Sequence, residues 1–221
     1  MTEPSGDRTD KPRRPVVVPA IALTALTVIG ITALLGGLGE APEEVEPLSP
    51  GAVLDQGLYD TKFVESRFRV ERAQNTWDED KRFLELVFAV TNKGDETLPV
   101  GSPPAKLEQA FTSTTFAGSL VKITPAFKEE WGPSVFALSK GGETRQLHPG
   151  VTSEVVVRYR LQDGEQVPDK VTLDVASFEE RESFNNARLE WTMVTEEAGE
   201  RSLRPVVKAR VTLPVKKGGT A

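Results

Sequence analysis

The sequence comes nearest to chemistry in the stretch Asn75-Thr76-Trp77-Asp78-Glu79-Asp80. Three consecutive carboxylates offer oxygen ligands of the kind calcium takes, but calcium loops space them as Asp-x-Asp-x-Asp-Gly, and that spacing is missing. Paired carboxylates can also hydrolyse glycosides without histidine or metal, yet 33 acidic residues single out no pair. Other machinery is lacking in the chain itself. With no cysteine there is no thiolate metal site, disulfide or thiol nucleophile. The single histidine, His148 in Gln-Leu-His-Pro-Gly, is expected at a solvent-facing turn. Gly-x-Ser-x-Gly, Gly-x-Gly-x-x-Gly and the phosphate-binding Gly-Lys-Ser/Thr loop do not occur. The expectation is a chain with no catalytic residues, no cofactor and no metal site.

Tryptophan is then the residue type best able to carry recognition. Trp77 stands beside the acidic run, Trp131 lies in Phe-Lys-Glu-Glu-Trp-Gly-Pro-Ser, and Trp191 alternates with Leu189 and Met193 and reads as core. For Trp77 and Trp131, in expected loops, two uses are open. Plugging the open end of a β-sandwich is the commoner one, and exposure as an anchor for a partner is the one that would carry function. On the second reading Trp77, Asp78, Asp80 and Trp131 are the partner-binding candidates, and Glu79, Glu129 and Glu130 would make that surface acidic, favouring a basic or cation-bridged partner.

Whatever positions them follows an uncharged run of 25 residues, Pro15 to Gly39, longer than the roughly 20 apolar residues a helix needs to cross a bilayer. Lys11, Arg13 and Arg14 precede it, Glu40, Glu43, Glu44 and Glu46 follow it, and the next basic residue is Lys62. The positive-inside bias then keeps the N-terminus in the cytoplasm and exports the rest. A cleavable signal has a shorter apolar core, of about 7–15 residues, so an uncleaved anchor is expected, although Gly37-Leu38-Gly39 offers a small-x-small cleavage site. The expected organisation is a cytoplasmic tail at 1–14, a transmembrane anchor at 15–39, an extended Pro/Glu-rich stalk at 40–50, an extracytoplasmic domain at 51–217 and a flexible tail at 218–221. Residues 40–221 hold 23 basic and 30 acidic groups, a balance that excludes nucleic acid as a partner.

The exported part alternates with period two, the signature of strands with one buried face. Val155, Val157, Tyr159 and Leu161 should point inward and Arg158 outward, which makes Val157→Ala costly and Arg158→Ala nearly neutral. Val171, Leu173 and Val175, and then Val207, Ala209, Val211 and Leu213, repeat the pattern. Leu84, Leu86, Phe88 and Val90 lie on one face of a strand whose other face, with Phe83, Val87 and Ala89, is also apolar, marking a central strand. Val64, Phe68 and Val70 should face the core, 119–124, 134–138 and 188–194 add shorter strands, and 177–187 should be a short helix or a loop. With no crossover helices, these strands predict an all-β antiparallel sandwich or barrel.

Leu-Glu-Leu-Val-Phe-Ala-Val-Thr-Asn-Lys-Gly-Asp, Leu-His-Pro-Gly-Val-Thr-Ser-Glu-Val-Val-Val-Arg-Tyr-Arg-Leu and the closing Ala-Arg-Val-Thr-Leu-Pro-Val resemble the immunoglobulin-like, telokin-type sandwich of exported actinobacterial proteins. The shared features are a hydrophobic strand ending in an Asn-containing turn and a Pro-Gly turn launching an outer strand. The resemblance spans about residues 51–217 and implies an immunoglobulin-like antiparallel β-sandwich outside the cytoplasm, without catalytic residues. The Cys-Trp-Cys core of antibody domains is absent. Taken with the anchor, it predicts a single-pass membrane protein that binds a protein or cell-envelope partner. The alternatives are a carboxylate-based carbohydrate-active envelope enzyme and an accessory subunit of a membrane complex.

Overall fold

A computed structural model describes residues 45–127, 132–139, 142–183, 188–198 and 202–220. Within them the chain is mostly β: β1 (Glu46–Leu48), β2 (Val53–Asp55), β3 (Tyr59–Glu71), β4 (Lys81–Asn92), β5 (Leu98–Pro99), β6 (Leu120–Thr124), β7 (Ser134–Ser139), β8 (Gly142–Thr144), β9 (Gln146–Leu147), β10 (Thr152–Leu161), β11 (Lys170–Ala176), β12 (Phe178–Glu182), β13 (Leu189–Met193), β14 (Thr195–Glu197), β15 (Leu203–Pro205) and β16 (Val207–Thr220). A four-residue helix, α1 (Leu107–Ala110), is the one α-helix among the described residues. No helix among them is long and apolar enough to cross a membrane, and the expected anchor, 15–39, lies outside them.

The order β6-β11-β16-β3-β4-β10-β7-β8 runs through one long strand. The first part of β16 pairs antiparallel with β11, while its last residues pair parallel with β3. The inward residues of both ladders, among them Phe63, Leu86, Phe88 and Val157 from one and Leu173, Val211 and Leu213 from the other, join a single buried cluster. The period-two assignments for β10, β11 and the first part of β16 hold, and β4 is central, between β3 and β10. Asn92 closes β4: its amide donates to the carbonyls of Glu96 and Leu147 and its Oδ1 accepts from Gly94 N–H, which fixes the turn.

Several expectations change. The pairing is mixed where antiparallel strands were expected, because β16 runs parallel to both β1 and β3. In β3 the register slips between Phe63 and Glu65, so Val64 sits on a β-bulge, 40% exposed, and Phe63 takes the core position instead. The segment expected to be helix or loop supplies β12, paired with β13; Phe178 is buried at its start while its charged side chains stay out, a hairpin with one anchoring residue. Glu46–Leu48, inside the expected stalk, is a strand parallel to β16, and β16 itself continues to Thr220, through the expected tail. Arg158 is outward, as its phase requires, but it is not idle.

Two ends of the domain follow from the pairing. Glu46, close to the first described residue, lies opposite Ala209, near the start of β16. Thr220, eleven residues further along β16 and roughly 35 Å of strand away, lies opposite Val70, close to where β3 hands over to β4. The loops β3–β4 and β10–β11 share this second end, since Leu161 faces Arg82.

Candidate functional site

Arg72–Asp80 joins β3 to β4, and its polar side chains are largely spent on holding its own backbone. Asp80 Oδ1 accepts Ala73 N–H at 2.8 Å, which closes the base of the loop. Asn75 accepts Trp77 N–H on its side-chain oxygen at 3.0 Å and Asp78 N–H on its carbonyl, an Asx turn. Asp78 accepts Glu79 N–H and pairs with Lys81 at 3.2 Å. The braced loop presents Trp77 to water with 95% of its surface exposed. An indole this exposed lacks the packing that a plug at the end of a sandwich would have.

The residues flanking Trp77 in this loop, with the adjoining strand ends, line a half-open groove: Glu71, Arg72, Gln74, Asp78, Glu79 and Lys81. Three acids against two bases make this surface mixed in sign, where sequence alone suggested an acidic one. Asp78 and Asp80, expected as partner contacts, are occupied in shaping the loop. Arg72 and Gln74 escaped the sequence reading because nothing local marks them; their position between a strand end and an exposed tryptophan is the signal. Trp131, with Glu129 and Glu130, lies outside the described residues. Trp191 is half-buried and packs on the core, as expected, although Leu189, its supposed companion, is 67% exposed at the hairpin.

The loop springs from a charged row on the outer face of β3, β4 and β10. Arg67, Glu85 and Arg158 are direct cross-strand neighbours. Glu85 is fully buried: Arg67 Nε donates to it at 2.7 Å and Arg158 Nε at 2.8 Å. Arg158 also donates to Glu71, the last residue of β3, at 3.3 Å, and its guanidinium lies 5.2 Å from the ring centres of both Phe83 and Phe136. Val87 and Val156, paired on this same outer face, are as buried as their inward neighbours. The row continues through Glu65 to Lys216, whose hydrogen bond, opposed by some burial and aided by Arg67, holds the Glu65 carboxyl below the usual carboxylate range. At the other side of the loop base, Arg82 donates to the Glu165 carbonyl at 2.9 Å, tying β4 to the β10–β11 loop.

His148 is exposed, as expected, with Nδ1 2.9 Å from Thr97 Oγ1. Among the described residues no group of three or more His, Asp and Glu side chains is arranged to hold a metal ion, and no buried side-chain nitrogen or oxygen lacks a partner. Tyr59, whose hydroxyl donates to the Thr114 carbonyl, has its ionisation pushed up by burial and serves the core. No family model, curated protein or solved structure matches the chain. The residues themselves must carry the functional assignment.

Proposed function

We propose that this chain is a single-pass membrane protein whose C-terminal domain, an immunoglobulin-like β-sandwich outside the cytoplasm, acts by binding a protein or cell-envelope partner rather than by catalysis. The β3–β4 loop with Trp77 is its contact surface. One observation carries this: an indole 95% exposed on a loop whose backbone is fastened by Asn75, Asp78 and Asp80. Leaving so much apolar surface in water is unfavourable, and an exposed, pre-ordered aromatic is what an interface uses as an anchor.

The sandwich is supported by two ladders meeting in β16 around a common core, and by the Asn92 turn followed by the Pro149–Gly150 turn, where Gly150 N–H donates to the Asn92 carbonyl. Anchorage is supported by the uncharged run 15–39 with its basic flank.

A photo-crosslinking phenylalanine analogue at position 77, which keeps an aromatic ring at the contact, with position 53 as a control because Val53 is also exposed, tests the contact in intact cells. A discrete adduct from position 77 alone is expected. Adducts of equal yield from both positions, or none from 77, overturn the assignment. Protease added to spheroplasts should digest the domain and spare an N-terminal tag; a soluble form beginning near Glu40 would contradict the anchor.

A further inference from the structure

The geometry points to a ligand class for this loop: we propose that Trp77 and the groove beside it bind a neutral saccharide chain. The inference rests on the loop being the contact surface. A pyranose ring is amphipathic, with a C–H face that packs on an aromatic plane and hydroxyls at its rim, and Trp77 offers an unobstructed indole for that face. The groove supplies the matching polar groups. Asp78 and Lys81 are engaged with each other, which leaves Arg72 as a donor, Glu79 as an acceptor and Gln74 as both. Hydroxyls donate and accept in turn, and a site offering both functions side by side suits them.

Charge argues for a neutral ligand. Glu71, Asp78 and Glu79 are interspersed with Arg72 and Lys81, so no field of one sign extends over the groove to draw in a polyanion or a polycation. Its half-open form suits internal units of a chain passing along the loop, where a small free ligand would need an enclosing pocket.

The test uses the full chain in phosphatidylcholine nanodiscs, titrated calorimetrically with chitohexaose, cellohexaose and mannohexaose, and separately with polygalacturonate and oligolysine. At least one neutral hexasaccharide should bind, about tenfold more weakly to Trp77→Ala and roughly threefold more weakly to Gln74→Ala, with Trp77→Phe retaining most of the affinity and all variants melting with the parent. No binding of any neutral hexasaccharide at millimolar concentration, binding indifferent to Trp77→Ala, or preference for either charged polymer overturns the proposal. If the saccharides fail while the position-77 crosslink persists, only the ligand class falls; if the crosslink is lost too, the contact surface falls with it.

Discussion

Within the stretch from Glu65 to Glu85, the same few side-chain types are used in two different ways. On the outer face of β3 and β4 they satisfy one another: Lys216, Glu65, Arg67, Glu85, Arg158 and Glu71 form a continuous row, and Glu85 is wholly withdrawn from water. In the loop between these strands, Asp78 and Asp80 brace the backbone while Trp77 is left facing solvent. Charges that consume each other stabilise and specify a sheet face. A braced loop holding a bare indole has only a small stake in stability, and the difference separates polarity spent on structure from a surface that the proposed function uses for binding.

The core beneath both regions sets the energy scale. Leu86→Ala, at a fully buried site, should cost about 3–4 kcal/mol in denaturant unfolding. The row comes next: Arg158→Ala should cost about 2–3 kcal/mol, because Glu85 stays buried with Arg67 alone and Phe136 loses its cover. Arg158→Lys should recover only part of this, since an ammonium cannot reproduce the planar stacking. If Arg158→Ala proves neutral, the row is ornamental and the contrast with the loop disappears. The acid limb of stability gives a smaller effect. Glu65 ionises more readily folded than unfolded, so its contribution is complete above the ordinary carboxylate range of about 4 and fades as pH falls through its lowered folded value. Glu65→Gln should flatten that limb by under about 1 kcal/mol, the pair with Lys216 being screened by water. Within the loop, Glu79→Ala should move stability by no more than about 0.5 kcal/mol.

Much of the fold was readable from the alternation of β10, β11 and β16, because each buries one face and every second residue reports it. The bulge at Val64 was not, since one extra residue reverses the parity of a strand without any local mark. Neither was β12, which buries only Phe178 and otherwise presents charge. Arg158 shows a subtler limit: its outward direction was legible, its cost was not, because Glu71, Glu85, Phe83 and Phe136 reach it from three other segments of the chain. For the candidate site, the sequence placed Trp77 in a loop among acids but could not say whether the indole turned in or out. That depends on Asn75 and Asp80 closing the loop beneath it.

The central claim is that Trp77 serves recognition and not folding, and one variant measured two ways tests it most directly. Trp77→Ala in the full chain, purified in a mild detergent from membranes of the source organism, should melt within about 1 °C of the parent, as a side chain this exposed predicts, and should lose most of the partner that the parent retains. A lowered melting temperature with undiminished partner capture would contradict it and return Trp77 to the role of a structural plug.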